Sequence, residues 1–329
     1  MSRSNETFGP TGQKQRWCTC TPRRRCPVCN GDSWCSIRAD GVLVACRRNS
    51  YGQQREDRNG ESFWLHCFDG RALSEHELPP ECTKDRACLD SIDEAYRALL
   101  AQLSLTQEHR ASLERRGLDR TAITRGMYRT LPAGERHAIG RRVSEHVSLE
   151  GVPGFFVHKN AWIVGGAPGL LVPLRDLEGR IVALKIRRDD PGEGPRYLYF
   201  SSTRHGGPSA VHALHVPVSV PAEAPVLRIT EGELKADVAT HLSGVPTLSV
   251  PGVGSWRLAL EAAKQRKAER VQVAFDADWR TNANVCRATI ALGLALKAAG
   301  YIASQLVWDP NEGKGIDDHL TFLRTRRAA

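Results

Sequence analysis

Two aspartates, one residue apart, directly follow an apolar run near the end of the chain. The stretch reads "RVQVAFDADW", in which Asp276 and Asp278 come after residues that suit a buried strand. Side chains at positions i and i+2 of an extended segment point to the same face, so these two carboxylates converge. Like charges at this spacing repel each other unless a cation lies between them. The pair is therefore either a polar turn or part of a metal site.

Further acidic residues stand at comparable places in the chain. Glu231 follows the apolar segment "VLRIT", and the pair Asp317 and Asp318 follows the last predicted strand, in "NEGKGIDDHL". From about residue 225 onward, strand-like and helix-like segments alternate, and this order predicts a parallel sheet covered by helices on both faces. The carboxyl ends of such strands meet at one edge of the sheet, where ligands bind.

The acidic residues at this edge predict a metal site. So many negative charges in one place are unfavourable without divalent cations, and Mg²⁺ prefers hard oxygen ligands and often bridges to substrate phosphates. Two such ions can hold the attacking and leaving oxygens of a phosphoryl transfer. The alternative is a set of unrelated acidic caps and turns. The expected ligands of Mg²⁺, or of Mn²⁺ in its place, are Glu231, Asp276, Asp278, Asp317 and Asp318.

Four segments of this region resemble the Toprim domain, the metal-binding catalytic domain of bacterial-type primases, type IA and II topoisomerases and some nucleases. They are "TEGELKAD" (230–237), "VPGVGSW" (250–256), "AFDADW" (274–279) and "KGIDDHL" (314–320). The resemblance is closest to primase-like proteins of phages, plasmids and integrative elements. It implies that Glu231 is a catalytic metal ligand or general acid/base, and that Asp276 and Asp278 are the main Mg²⁺ ligands. Lys235 is either a phosphate contact or a solvated helix residue.

The middle of the chain contains a predicted strand pair and a third strand. "GLLVPLRDLEGRIVALKIRR" predicts two strands with a turn at 176–179, and "RYLYFSS" follows them. These segments resemble the N-terminal half of the primase catalytic core. The resemblance implies that Arg187 and Arg196 line the template or nucleotide path, that Tyr197 stacks on a base, and that Lys185 shares the strand face of Arg187. The alternative is an ordinary β-hairpin with solvated basic residues.

The cysteines are concentrated near the start of the chain. Of the ten, all but Cys286 lie before residue 90, and in a cytosolic protein such clustering indicates a metal rather than disulfides. The Cys-Pro-x-Cys turn in "CPVCNGDSWC" is typical of zinc sites and resembles the N-terminal zinc ribbon of primases. Asn49 stands where a second Cys-x-x-Cys would need its last ligand. Cys35 is the simplest replacement and His66 is the alternative, while Cys67, Cys18 and Cys20 also stay open. The expected Zn²⁺ ligands are Cys26, Cys29, Cys35 and Cys46.

Composition limits the classes of protein that this chain can be. Its 329 residues are 41% hydrophobic, which is ordinary for globular domains, and a net charge of +9 favours a polyanionic partner such as nucleic acid. The first residues form no apolar signal segment. The most apolar helical stretch, "ATIALGLALKAAG", is too short to cross a bilayer. We therefore expect a cytoplasmic protein with no membrane partner.

These features together predict an α/β protein with three parts. A zinc-ribbon nucleic-acid-binding module occupies residues 1–87, an α+β N-terminal part of a primase-like core occupies 88–222, and a Toprim-type doubly wound parallel sheet occupies 223–329. The resemblance implies a DNA primase, a nucleotidyltransferase of the DNA-directed RNA polymerase type. It would make short primers from NTPs on single-stranded DNA during mobile-element replication.

Two other functions remain open. A Toprim nuclease would use the same carboxylates with water as the nucleophile, and a zinc-dependent DNA-binding accessory protein would use none of them for catalysis. No Gly-x4-Gly-Lys-Ser/Thr motif occurs in the sequence, so a priming function would need a separate replicative helicase.

Overall fold

The chain divides into two compact units, Met1–Asp85 and Arg86–Ala329. The structure is a computed structural model that describes residues 5–8, 14–21, 23–32, 35–48, 53–56, 62–68, 86–192 and 194–328. In these residues no helix has both the length and the apolar character needed to cross a membrane. The further division that the sequence predicts near residue 222 stays a prediction.

The first unit is built on an antiparallel sheet. Strand β4 (Leu43–Cys46) separates two clusters, because alternate side chains of a strand point to opposite faces. Leu43 and Ala45 pack with Trp17, while Val44 and Cys46 face the other cysteines. The sheet order is β1 (Asn5–Phe8), β2 (Lys14–Thr19), β3 (Ser36–Arg38), β4, β6 (Ser62–Cys67) and β5 (Gln53–Glu56).

The second unit begins with short helices whose ends are set by local residues. The Thr106 side chain accepts a hydrogen bond from the backbone N–H of His109, and that of Asp119 accepts one from Ala122, so each caps the helix that follows it. Gly117, with φ of 99°, lies in the turn between these two helices. The helices of this region are α1 (Leu89–Ala101), α2 (Gln107–Arg115), α3 (Arg120–Gly126) and α4 (Arg136–Ser144).

An antiparallel sheet follows, and it contains the strand pair that the sequence predicts. Asp176 forms the predicted turn by accepting hydrogen bonds from the backbone N–H groups of Glu178 and Arg180, at 3.1 and 2.9 Å. A separate hairpin pairs β8 (Phe155–His158) with β9 (Ala161–Val164). The sheet order is β12 (Tyr197–Tyr199), β11 (Ile181–Arg188), β10 (Gly169–Arg175) and β7 (Arg129–Leu131).

The last part is a four-stranded parallel sheet, which confirms the predicted α/β class. Its order is β14 (Thr247–Val250), β13 (Val226–Glu231), β15 (Arg270–Val273) and β16 (Ile302–Gln305). Helices α6 (Leu258–Gln265) and α7 (Ala283–Ala298) share one apolar cluster with Leu227 and Ile229. Helices α5 (Glu233–Ser243) and α8 (Ile316–Ala328) share another with Ala274. The sheet is therefore covered on both faces, as the strand and helix alternation predicts.

Candidate functional site

The carboxyl edge of the parallel sheet brings the predicted acidic residues into one region. The backbone N–H of Ala274 donates to the carbonyl of Ile229 at 2.8 Å, and the Thr230 hydroxyl donates to the carbonyl of Ala274 at 2.9 Å. These bonds hold the end of β13 beside the residues that follow β15. The N–H of Ala277 donates to the carbonyl of Lys314 at 2.9 Å, which fixes the loop before α8 at the same edge.

Lys235 lies among these carboxylates. Its Nζ donates to Oδ1 of Asp276, and Nζ of Lys314 stands 3.7 Å from the other oxygen of that aspartate. Burial lowers the pKa of Lys235, but the charges of Asp276, Glu231 and Asp317 outweigh burial and raise the pKa above its usual range. The side chain is therefore a charged ammonium directed at the Asp276 carboxylate.

Two of the acidic groups are disfavoured in their charged forms. Burial, together with Asp276 and Glu233, raises the pKa of Glu231, although Lys235 and Lys185 act in the opposite direction. Burial and the neighbouring Asp318 likewise raise the pKa of Asp317, which is 3% exposed. Nη1 of Arg116 donates to Oδ2 of Asp317 at 3.0 Å. Such clustering of carboxylates against their own preference is typical of functional sites.

Two buried carboxylate oxygens in this region lack a hydrogen-bond partner among the described residues. They are Oδ1 of Asp278 and Oδ1 of Asp317. A buried acceptor without a donor is unfavourable, and carboxylate oxygens are the hard ligands that divalent cations prefer. Asp318 differs, because its Oδ2 accepts from the N–H of Gly315 at 3.3 Å. The donor set thus fits Mg²⁺ or Mn²⁺, with Asp278 and Asp317 offering the most available oxygens.

The predicted basic residues of the middle sheet have different surroundings. Lys185 lies opposite Tyr199 in the sheet register, with its Nζ 4.7 Å from the centre of that ring and 2.6 Å from Oε1 of Glu233. Glu233 is 4% exposed. Lys185 is therefore engaged in a buried ion pair with Glu233, which begins α5 two residues after Glu231.

The other three residues predicted to contact nucleic acid differ in exposure. Arg187 is 7% exposed, and its Nη2 donates to the Ser112 hydroxyl at 3.0 Å. Tyr197 pairs with Arg187 across β11 and β12 and is 37% exposed. Arg196 is also exposed. Arg196 and Tyr197 are accessible to a large ligand, whereas Arg187 is held inside the unit.

Four cysteines of the first unit form a compact group of sulfur atoms. The sulfurs of Cys26, Cys29, Cys35 and Cys46 all lie within 4.8 Å of one another. The sulfur atoms of Cys29 and Cys35 lie 3.6 Å apart, and those of Cys35 and Cys46 lie 3.8 Å apart. A tetrahedral zinc ion with Zn–S bonds near 2.3 Å separates its sulfur ligands by about 3.8 Å. The backbone N–H of Arg47 donates to the Cys35 sulfur at 3.5 Å, and such a bond stabilises a thiolate. This donor set fits Zn²⁺.

The sequence alone does not assign the fourth zinc ligand. His66 lies opposite Val44 in the register of β4 and β6 and is outside the group, as are Cys18, Cys20 and Cys67. Cys20 is buried and packs beside the four sulfurs. In the part of the chain that the structure describes, no other group of three or more metal-ligating side chains is as compact. The carboxylates of the sheet edge are therefore more loosely arranged than the thiols.

A buried polar network near the sheet edge was not expected from the sequence. The Tyr128 hydroxyl donates to Oδ2 of Asp237 at 2.5 Å, and Nε2 of His215 lies 3.3 Å from Oδ1 of the same carboxylate. The backbone N–H of Arg175 donates to Nδ1 of His215 at 3.1 Å, so Nε2 carries the proton. The network joins α5 to the antiparallel sheet. Its members are far apart in sequence, and no local pattern indicates that they meet.

Comparisons with known proteins agree with the geometry at the level of fold. Residues 218–323 match a family described as a domain of unknown function (DUF3854). A comparison with curated proteins finds no match. Among solved structures, the zinc-binding and RNA polymerase domains of the Aquifex aeolicus primase are similar, with a TM-score of 0.56 and 15% identity, over 98% of this chain and 79% of that one.

Two further primase structures are similar to the larger part of the chain. The RNA polymerase domain of Mycobacterium tuberculosis primase DnaG, in complex with double-stranded DNA, has a TM-score of 0.53 and 15% identity, over 72% of this chain and 79% of that one. The E. coli primase catalytic core has a TM-score of 0.50 and 18% identity, over 72% and 75%. At these identities the similarity establishes a shared fold.

Proposed function

We propose that this protein is a DNA primase-like nucleotidyltransferase that makes short primers on single-stranded DNA during replication of a mobile element. The observation that carries the proposal is the placement of Glu231, Asp276 and Asp278 at the carboxyl edge of a parallel sheet, within a fold shared with primases. The motifs around these residues resemble the Toprim domain. The unpartnered oxygens of Asp278 and Asp317 support a role in binding cations rather than in capping turns.

The acidic residues would hold Mg²⁺ or Mn²⁺. Glu231, Asp276 and Asp278 are the proposed catalytic ligands, with Asp317 and Asp318 beside them. When bound, the ion would supply positive charge that neutralises a nucleoside triphosphate and its transition state. A bound cation would offset the burial, and the repulsion by Asp276 and Glu233, that together raise the pKa of Glu231.

The chain's own residues would position the reactants. The ion pair Arg116–Asp317 keeps one carboxylate of this edge in place, and the ion pair Lys185–Glu233 holds the first residue of α5. Arg196 and Tyr197 are exposed on the antiparallel sheet, where a guanidinium can meet a phosphate and an aromatic ring can stack on a base. In the proposed reaction, a 3′-hydroxyl attacks the α-phosphate of an NTP, a new P–O bond forms, and pyrophosphate leaves.

The cysteine group would hold Zn²⁺ in a module that binds the single-stranded template. A unit of this size has a small core, so a bound ion would contribute directly to its folding. Arg23, Arg24 and Arg25 are exposed next to Cys26, which suits contact with phosphates. A separate replicative helicase is the expected partner, and the cytoplasm is the expected location.

A priming assay tests the proposal against its alternatives. The full chain is incubated with circular single-stranded DNA, labelled NTPs and Mg²⁺ or Mn²⁺. Short oligonucleotides that are lost on Asp276→Ala support priming. Degradation of the circle without use of NTPs indicates a nuclease. DNA binding without either activity indicates an accessory protein and contradicts the proposal.

A further inference from the structure

The Lys235 side chain lies where a cation would be expected among the acidic residues. Its Nζ contacts Oδ1 of Asp276, and the charges of Glu231 and Asp317 also act on it. The contact is partly shielded, since the side chains of Lys235 and Asp276 are 26% and 13% exposed. An ammonium in this position supplies the positive charge that clustered carboxylates need in the absence of a metal.

We infer that Lys235 is a built-in competitor for the cation position at Asp276, so that a divalent ion binds there only by displacing the lysine. This inference rests on the proposed function, because that proposal assigns Asp276 as a metal ligand. An ammonium and a divalent ion cannot both bind one carboxylate oxygen strongly, because the two cations repel each other at short range. Occupancy of this oxygen by Lys235 therefore weakens metal binding.

The surroundings of the lysine allow it to leave. A Cβ added to Gly232 would lie 3.7 Å from Cγ and Cδ of Lys235, and one added to Gly315 would lie 3.0 Å from its Cδ and Cε. The aliphatic part of the side chain thus runs between two glycines, where no side chain from either residue blocks its rotation. Gly232 has φ of 94°, which itself favours glycine at this position.

The Lys235 ammonium would affect both the charge of this site and its metal binding. Burial disfavours the charged forms of Glu231 and Asp317, and the neighbouring carboxylates of Asp276 and Asp318 add repulsion. An ammonium that stays attached to the chain neutralises part of this charge when no ion is present. The same ammonium raises the metal concentration at which the site fills, so the site would be occupied mainly when an ion arrives together with the negative charge of a nucleotide.

Lys314 provides a matched control within the same site. Its Nζ lies 3.7 Å from Oδ2 of Asp276, but its side chain is 70% exposed. A solvated charge of this kind is screened by water and salt and contributes little to a nearby equilibrium. Replacing either lysine by methionine removes the same charge from the same carboxylate, so the comparison isolates the effect of position.

The experiment measures Mn²⁺ binding to the full, zinc-loaded chain by the loss of the free-Mn²⁺ electron paramagnetic resonance signal, without DNA or nucleotide. We expect Lys235→Met to lower the Kd for Mn²⁺ by about tenfold or more, because it removes a directly contacting charge. Lys314→Met changes the Kd by less than about threefold. In the double variant Lys235→Met/Asp276→Asn the gain disappears.

Two results would overturn the inference. One is an unchanged or higher Kd in Lys235→Met, and the other is an equal decrease in the two methionine variants. Lys235→Gln is measured in parallel, so that the conclusion does not depend on one variant. Circular dichroism checks that both variants fold.

If wild-type protein makes no primers but Lys235→Met still binds Mn²⁺ more tightly, the proposed function fails and the inference stands. If wild-type protein makes primers but Lys235→Met binds Mn²⁺ no more tightly, the proposed function stands and the inference fails.

Discussion

At the scale of single residues, burial and neighbouring carboxylates disfavour the charged forms of Glu231 and Asp317 at the sheet edge. Glu231 ends β13 with a pKa above its usual range, first because of burial and then because of Asp276 and Glu233. A carboxyl group with a raised pKa in the folded state favours folding in its protonated form. Above the pKa of the unfolded chain, its ionised form makes folding less favourable.

The variant Glu231→Gln should therefore affect activity and stability in opposite directions. We expect it to abolish primer synthesis and to raise the free energy of unfolding at pH 7 by about 1 kcal/mol, because the amide carries no charge into the buried edge. The gain should vanish as the pH falls below about 4, where the glutamate is protonated in both states. Urea unfolding at several pH values measures this. Lower stability of the variant at pH 7 would show that Glu231 is structurally favourable and would count against a functional role.

The sequence predicts the positions of these acidic residues but not their contacts. Their placement at one edge follows from topology, because carboxylates that end parallel strands must meet there. The contact of Lys235 with Asp276, and that of Lys185 with Glu233, depend on side-chain directions and on packing between separate elements. Lys185 and Arg187 are basic residues on one strand face, a pattern equally typical of a binding surface and of buried ion pairs.

At the scale of elements, two glycines within helices differ in how closely neighbouring atoms pack against them. A Cβ on Gly140 of α4 would lie 2.4 Å from the backbone oxygen of Trp162 in β9. A Cβ on Gly293 of α7 would meet no atom within 4 Å among the described residues. We therefore expect replacement of glycine by alanine to have opposite effects on stability in the two helices.

The glycine pair gives a matched test. Gly293→Ala should raise the free energy of unfolding by about 0.5–1 kcal/mol, because alanine favours a helix more than glycine does. Gly140→Ala should lower it by about 1–3 kcal/mol, since α4 must move away from β9. Thermal and urea unfolding measure both variants. A stabilising Gly140→Ala would contradict the close approach of α4 and β9.

The network around Asp237 supports a second prediction at this scale. Tyr128→Phe removes the hydroxyl that donates to Oδ2 of Asp237 and leaves a largely buried carboxylate oxygen short of a donor. We expect a loss of about 1–3 kcal/mol in the free energy of unfolding. Tyr197→Phe, at an exposed position, is the control and should change stability by less than about 0.5 kcal/mol. Equal effects of the two variants would show that the network does not stabilise the unit.

The elements themselves are more predictable than their contacts. Buried parallel strands are apolar runs in the sequence, and a glycine often ends the helix that follows such a strand. The alternation of strands and helices from residue 225 onward is therefore visible in the sequence. Gly244, with φ of 68°, ends α5 as its position predicts. Helix α4 and the β8–β9 hairpin have weaker patterns. Their stability comes from packing on each other, which no short window of sequence contains.

At the scale of the whole molecule, the two units should respond separately to loss of zinc. Cys29→Ser removes one of the four clustered sulfurs, and we expect the zinc content to fall from about one ion per chain and single-stranded DNA binding to weaken. The unfolding of the α/β unit should be unaffected. Inductively coupled plasma mass spectrometry and fluorescence anisotropy measure the first two effects.

Cys88→Ser provides the control for the zinc experiment. Cys88 is exposed at the start of α1, in the second unit, and is outside the cysteine group. It should leave the zinc content and DNA binding unchanged. Full zinc content in Cys29→Ser would contradict the four-thiol site, and unchanged DNA binding after zinc loss would remove the role proposed for the first unit.

The most direct test of the central claim is whether the protein starts a new strand. The full chain is incubated with circular single-stranded DNA, unlabelled NTPs and a γ-phosphate-labelled purine NTP, and the products are separated on a denaturing gel. We predict short oligonucleotides that keep the γ label at their 5′ ends, lost in Asp276→Asn and kept in Glu269→Gln, an exposed residue before the same strand β15. Products without the γ label, or equal activity in the two variants, would contradict the claim that this carboxylate edge catalyses primer synthesis.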